Sequence, residues 1–290
     1  MGRKIYLNGE FVDKENAKIS VFDHGVLYGD GVFEGIRSYN RRVFRLEEHM
    51  DRLYQGAKAI RLDIQMDKKV FQDKIVETLK LNNLEDAYIR VVVTRGTGDL
   101  GLDPRKCAKP TIFIITDKIV LYPESFYQNG LEIIIAKTRR NHPTTLDPRI
   151  KSLNYLNNIL GKIDAIDGGT QEAIMLSIDG YVVECTGDNI FLVKNGKLVT
   201  PSFELGALEG ITQRAIIELA DKRGMKTEYL KMRQEDLFDA DECFLTGTAA
   251  EVIPVIKIDG KDIGSAKPGE VTGRLSRDLR ELTKVNGTEY

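Results

Sequence analysis

Four turn signals, distributed over both halves of the chain, constrain its fold most. Asn8-Gly9, Asp179-Gly180, Asn195-Gly196 and Asp259-Gly260 are each flanked by β-branched or aromatic residues. Such dipeptides tolerate the positive φ of a primed two-residue turn, whose twist matches that of paired antiparallel strands. Both halves are therefore expected to contain antiparallel strands. In the first half, strands around Lys4–Val12, Val32–Tyr39 and Ala87–Thr94 surround two amphipathic helices, Leu46–Ile60 and Asp67–Asn82. Leu46, Met50, Leu53 and Ala57 recur on one stripe of the first helix, the spacing of a face turned to a core.

This α+β unit ends near Thr116. Asp117–Gly130, with Pro123, Ser125 and Asn129, reads as a connector. Leu131–Ala136 then opens a second unit with β-rich hairpins and helices at Ser152–Asp167, Ile211–Arg223 and Pro268–Thr283. The expected division is a small N-terminal domain over 1–118, a linker over 119–129 and a large C-terminal domain over 130–290, with a ligand-binding crevice between them.

At 290 residues and 42% hydrophobic content the chain can bury a sizeable core. Its 42 basic and 44 acidic residues leave a net charge of −2, too little to draw it to nucleic acid or anionic lipid. Small molecules are the expected partners. Cys107, Cys185 and Cys243 lack C-x-x-C spacing, which argues against a zinc cluster or disulfide framework and suits a reducing cytoplasm. No metal is expected. The N-terminus carries no apolar signal region, and no stretch approaches the roughly 18 apolar residues of a membrane span.

Five segments carry chemistry. Arg149–Asn158 places polar groups where a buried helix would want apolar ones. A lysine such as Lys151, at a strand-to-helix junction, can act as an amine nucleophile when desolvated, although most such lysines are solvated surface charges. Gly25–Arg37 interleaves four glycines with Tyr28 and Phe33. That pattern can present two rings from a tightly turned entry to a sheet, or form a bulge with core aromatics. Arg52 neighbours the apolar stripe of its helix, where a guanidinium can reach a phosphate or snorkel to solvent. Glu184 closes an apolar strand. A carboxylate buried there needs a cation, either a protonated ring nitrogen of a cofactor or a structural Arg or Lys. Finally, Leu208–Thr212 opens a helix and Thr246–Glu251 leaves a strand, two places where amides and hydroxyls can bind an anion or form an ordinary helix entry and strand exit. A nucleophilic lysine, a phenol four residues later at Tyr155, a buried acid and phosphate donors together match what pyridoxal 5′-phosphate requires.

These residues also resemble a known family, the class IV pyridoxal-phosphate aminotransferases, and within it the branched-chain amino acid aminotransferases. Seven ordered motifs carry the likeness: Y-G-D-G-V-F-E-G-I-R (28 to 37), H-M-D-R-L (49 to 53), Y-I-R (88 to 90), K-S-L-N-Y-L-N-N (151 to 158), E-C-T-G-D-N-I-F (184 to 191), L-E-G-I-T (208 to 212) and T-G-T-A-A-E-V-I-P (246 to 254). The resemblance implies a mixed α/β, two-domain fold of the D-amino-acid aminotransferase-like kind, with β-rich domains and an interdomain active site. By it Lys151 would anchor the cofactor and shuttle a proton, Tyr155 would bond the ring oxygen, and Glu184 would keep the ring nitrogen protonated. Arg52, Ile211, Thr212 and Thr248 would hold the phosphate. Tyr28 and Phe33 would line an apolar pocket, Tyr88 with the amides of Thr248 and Ala249 would take the α-carboxylate, and Arg90 the glutamate side chain.

The implied reaction moves an amino group between L-leucine, L-isoleucine or L-valine and 2-oxoglutarate, giving branched 2-oxo acids and L-glutamate. This would be the last step of branched-chain amino acid biosynthesis or the first of degradation. A homodimer, or a higher assembly built from dimers, is expected. Departures are visible. Thr94–Gly101 lacks the Arg-x-His of D-amino-acid transaminases, the Lys-to-Tyr gap of four is one shorter than in some relatives, and Gln213 stands where many carry Arg. Tyr122, Phe126 and Tyr127 are candidates for a connector aromatic in the pocket. The rival readings are a D-amino-acid transaminase or aminodeoxychorismate lyase of the same fold, and a non-catalytic cofactor-binding relative.

Overall fold

All four turn signals join antiparallel strands. In the computed structural model, which describes residues 2–118 and 122–290, Asn195 and Gly196 take φ values of 51° and 72° between Asn189–Lys194 and Lys197–Pro201. Both central residues are left-handed, as a type I′ turn demands. Asn8-Gly9 joins Lys4–Leu7 to Glu10–Asp13, Asp179-Gly180 lies between Ala173–Leu176 and Val182–Cys185, and Asp259-Gly260 joins Glu251–Ile258 to Lys261–Asp262.

The chain forms two compact units. One comprises Met1–Ile119, Ile150–Asn154 and Thr283–Tyr290; the other comprises Val120–Arg149 and Tyr155–Leu282. Of the expected linker, residues 119–121 lie outside the described residues, and Glu124–Asn129 is a short helix.

The first unit is built on a seven-stranded antiparallel sheet in the order Thr288–Glu289, Arg42–Val43, Gly31–Tyr39, Ala87–Thr94, Thr111–Asp117, Lys4–Leu7, Glu10–Asp13. Side chains alternate between its faces. Val32, Ile36, Ile89, Val91 and Ile114 pack in one core with Met50 and Leu53 of the helix Leu46–Ala59 and with Phe71 and Ile75 of the helix Lys68–Leu81. The buried stripe of the first helix is the expected one, with His49 added. Asp67 caps the second, its Oδ1 accepting from Lys69 N at 2.8 Å and Val70 N at 3.3 Å, an arrangement worth about 1 kcal/mol.

The helix expected from Ser152 begins only at Leu156 and runs to Asp167. Residues 150–154 instead lie alongside the strand Gly31–Tyr39. Phe33 N donates to Lys151 O at 3.0 Å, Leu153 N donates to Gly31 O at 2.9 Å, and Ser152 bridges Val32. Backbone groups satisfied by a strand have no need of helical partners. Gly31 permits the approach, because a Cβ there would stand 2.7 Å from Leu153 Cδ1.

The second unit carries a nine-stranded mixed sheet. Its main path runs Thr227–Leu230, Lys197–Pro201, Asn189–Lys194, Glu242–Gly247, Glu251–Ile258, Leu131–Ile135, Ala173–Leu176, Val182–Cys185, with Lys261–Asp262 paired to Glu251–Ile258. Ile190, Leu192, Leu245, Ile253 and Val255 are fully or almost fully buried in its core. The connector aromatics belong to that core: Tyr122 is buried, and Phe126 and Tyr127 pack against it. Among the described residues no helix is long and apolar enough to cross a membrane.

Candidate active site

Six of the twelve expected site residues lie in the first unit: Tyr28, Phe33, Arg52, Tyr88, Arg90 and Lys151. Alternation from the buried Val32 and Ile36 turns Phe33, Gly35 and Arg37 to the sheet face opposite the helices, and the register aligns them with Val92, Arg90 and Tyr88. Two cations approach the Phe33 ring, with Lys151 Nζ 4.8 Å and Arg90 Cζ 4.6 Å from its centroid. Arg90 Nη2 also donates to Tyr88 Oη at 3.0 Å. Tyr88 lies across the strand because residue 35 is glycine; a Cβ there would stand 2.2 Å from Tyr88 Oη. Tyr28 occupies a short helix, His24–Tyr28, and its hydroxyl donates to Leu100 O at 2.5 Å.

Arg52 meets a carboxylate that sequence reasoning passed over. Its Nε donates to Glu34 Oε1 at 2.7 Å and its Nη2 to Glu34 Oε2 at 2.9 Å, while His49 Nδ1 lies 2.8 Å from the same Oε2. Burial works to raise the Glu34 pKa, but the Arg52 charge and the His49 contact prevail and hold it at about 2. Burial lowers the pKa of His49, with Arg52 and Lys151 adding to the effect against the pull of Glu34. His49 is thus neutral at neutral pH and donates through Nδ1–H to the ionised Glu34. The signal for Glu34 was present in the alternation, which sets it on the same face as Val32 and Ile36.

The other six, Tyr155, Glu184, Ile211, Thr212, Thr248 and Ala249, lie in the second unit. Glu184 is buried on the strand Val182–Cys185, where Arg140 Nε donates to its Oε1 at 2.7 Å and Leu208 N to its Oε2 at 3.0 Å. Of the two cations foreseen for this acid, the chain itself supplies the arginine. Arg140, missed in the sequence because nothing in its loop is periodic, also donates through Nη1 to Asn157 Oδ1 at 2.8 Å. A carboxylate offers about four lone-pair sites, so Glu184 retains capacity for a further donor. The two anion-friendly pieces converge on the same strands. Asn189 Nδ2 donates to Leu208 O at 2.8 Å, and Asn189 is the register partner of Thr246. Helix Ile211–Lys222 starts beside them with Gly210 as its cap, and Gly210 N donates to Gln213 Oε1 at 3.2 Å. Tyr155 precedes the helix Leu156–Asp167 as its cap residue.

Residues 31–258 match the family pattern described as amino-transferase class IV. The chain belongs to the class IV aminotransferases. The aminotransferase is 52% identical over 279 residues, 96% of each chain, to a Methanocaldococcus jannaschii protein provisionally named a branched-chain-amino-acid aminotransferase. Its fold is similar to the crystal structure of Escherichia coli branched-chain amino acid aminotransferase, with TM-score 0.95, 35% identity and coverage of 98% of this chain and 95% of that one. It is likewise similar to the branched-chain amino acid aminotransferase from Thermobaculum terrenum in its PLP-form, with TM-score 0.87, 29% identity and coverage of 97% and 94%. The mixed α/β class IV fold expected from the motifs is the fold of this aminotransferase.

The residues fit the cofactor that the family implies. Asn158 Oδ1 and Thr246 Oγ1 are buried without a hydrogen-bond partner among the described residues, a costly state unless something else engages such groups. Thr246 adjoins the helix start whose amides favour an anion. Within the second unit, amides, threonine hydroxyls and a buried carboxylate are complementary to a phosphate and a polar heteroaromatic ring.

Proposed function

We propose that the aminotransferase transfers the amino group of L-leucine, L-isoleucine or L-valine to 2-oxoglutarate with pyridoxal 5′-phosphate as cofactor, yielding branched 2-oxo acids and L-glutamate. One observation carries this reading: the Phe33 ring has both the Lys151 amine and the Arg90 guanidinium close to it, at 4.8 Å and 4.6 Å from its centroid. An aliphatic side chain would pack on the ring, and the carboxylate of glutamate would meet Arg90, so one short stretch of sheet suits both substrates.

When bound, the cofactor supplies an electron sink for the negative charge that develops at the substrate α-carbon. Arg52, the Ile211 and Thr212 amides and the Thr248 hydroxyl would hold its phosphate. Tyr155 would bond the ring oxygen, and Glu184, oriented by Arg140 and Leu208 N, would accept from the ring nitrogen. Tyr28 would border the apolar pocket, and Tyr88 with the amides of Thr248 and Ala249 would orient the α-carboxylate. Lys151 would anchor the cofactor and, once displaced by substrate, take the α-proton on its Nζ and return it on the other side of the transfer.

The domain scheme, a small domain over 1–118 joined through 119–129 to a cofactor-binding domain over 130–290, belongs to the same proposal, with Ile150–Asn154 and Thr283–Tyr290 of the latter stretch grouped with the first unit. So do a cytoplasmic location, which three free cysteines suit, and a homodimer. The helix Leu156–Asp167 supports the dimer. It buries small or polar residues, Asn158, Gly161 and Ala165, and leaves Leu156, Ile159, Leu160, Ile163 and Ile166 between 44% and 67% exposed. An apolar stripe turned to water in this way marks an association surface.

Borohydride reduction of the enzyme followed by peptide mapping tests the assignment. The adduct is expected on Lys151 and is expected to vanish in Lys151→Ala; an adduct elsewhere, or none, would overturn it. A steady-state panel of L- and D-amino donors against 2-oxoglutarate then tests substrate and chirality, with turnover of L-leucine and not D-alanine expected.

A further inference from the structure

Glu34 poses a physical question that the proposed roles leave open. Its side chain is wholly buried on the face of Gly31–Tyr39 that otherwise sends Val32 and Ile36 into the core. Burying an ionised carboxylate costs several kcal/mol, and an apolar residue at such a position often stabilises as well or better. Its value must then lie in what it holds. Both oxygens grip Arg52 side-on through Nε and Nη2, and His49 secures Oε2 from the neighbouring turn of the same helix. The Arg52 side chain is itself only 13% exposed. A guanidinium carries five N–H donors in a rigid plane. Pairing along one edge fixes the orientation of the others, so that an oxyanion meets an arginine already aimed.

We propose that Glu34, locked in turn by His49, is a positioning residue that pre-orients Arg52 as a phosphate clamp and thereby makes the aminotransferase select the phosphorylated form of its cofactor over pyridoxal. The inference rests on the reading that Arg52 takes the phosphate. It goes further in assigning discrimination to two groups that touch neither substrate nor cofactor. Lys151 O accepts from Phe33 N at 3.0 Å, one residue before Glu34, which sets clamp and amine in one neighbourhood of the first unit.

The test compares wild-type, Glu34→Gln and His49→Gln enzymes, stripped of cofactor and titrated with pyridoxal 5′-phosphate, with pyridoxal and with inorganic phosphate as competitor. Loss of a charge-assisted anchor in Glu34→Gln should weaken pyridoxal 5′-phosphate by about tenfold or more and leave pyridoxal within about twofold of wild type. Competition by phosphate should weaken in parallel. His49→Gln, which keeps the carboxylate, should show the same split at about threefold, and it serves as the readout should Glu34→Gln fail to fold. Equal losses for both aldehydes, or no loss for either, would reduce Glu34 to a structural ion pair and overturn the inference. Wild-type enzyme trapping cofactor on Lys151 while both variants retain full phosphate selectivity would overturn this inference alone. Wild-type enzyme that forms no adduct would remove the cofactor reading and this one with it.

Discussion

Arg140 reaches Glu184 through Nε at 2.7 Å, with the two side chains 5% and 7% exposed. So deeply placed a pair is costly to split, because removing one partner strands the other charge in a low-dielectric setting at roughly 3–5 kcal/mol. Arg140→Leu should therefore lower the unfolding free energy of the apoprotein by about that amount. Replacing both partners, as Arg140→Leu with Glu184→Leu, should restore most of it. Urea denaturation measures this, and a double variant no more stable than the single one would show that burial of Glu184 is not what Arg140 offsets.

Gly35 offers a test of the pocket. A Cβ at that position would lie 2.2 Å from Tyr88 Oη, so Gly35→Ala must push the phenol aside, and with it the Arg90 Nη2 contact at 3.0 Å. The fold should lose about 1–3 kcal/mol to overpacking. KM for 2-oxoglutarate should rise by roughly tenfold as the guanidinium loses its support, with a smaller rise for branched 2-oxo acids. Equal changes for both acceptors would argue that Tyr88 and Arg90 do not sort them.

What the sequence discloses, and what it withholds, follows from the range of the forces involved. Turns and amphipathic stripes are local, so the Asn-Gly hairpins and the helix Leu46–Ala59 with its Leu46, Met50, Leu53 and Ala57 face are readable from spacing alone. Lys151 was legible as a residue but not as a conformation. A polar run ahead of a helix reads as more helix, whereas hydrogen bonds to Gly29, Gly31 and Phe33 from far along the chain hold it beside the strand. Arg140 and Glu184 are 44 residues apart, and Glu34 and Arg52 are 18 apart. Ion pairs of this kind have no period, and pairing them requires the tertiary fold. Even so, Glu34 could have been flagged, since strict alternation buries it and a buried carboxylate demands a cation.

The exposed stripe of Leu156–Asp167 makes the assembly testable. With Ile159→Glu and Ile163→Glu together, two charges would occupy the centre of the apolar face, and like charges brought together across a closed interface cost several kcal/mol. Light scattering should then report the mass of a single chain where wild type gives at least twice that mass. Retention of the wild-type mass would place the interface elsewhere.

Acidification should reveal the Glu34–His49–Arg52 cluster in two stages. A group whose pKa falls on folding binds fewer protons folded than unfolded, so its contribution is present above the ordinary pKa and is lost as pH drops. Glu34, held at about 2 against an ordinary 4.5, stabilises by roughly 3 kcal/mol above that range and loses the contribution between about pH 4.5 and 2. His49, lowered chiefly by burial from an ordinary 6.5, acts in the same direction but earlier, its contribution complete above about 6.5 and declining below. Stability measured by urea unfolding from pH 7.5 downwards should therefore begin to fall in mildly acidic solution and fall again below 4.5. His49→Asn, which cannot titrate, should flatten the upper stage and shrink the lower one, since the His49 contact helps to lower Glu34; Glu34→Gln should flatten the lower stage and, by releasing His49 from the carboxylate that opposes its lowering, deepen the upper. Profiles for wild type and His49→Asn that run parallel between pH 7 and 5 would mean that the imidazole titrates alike in the folded and unfolded chain, and is not held neutral by its surroundings.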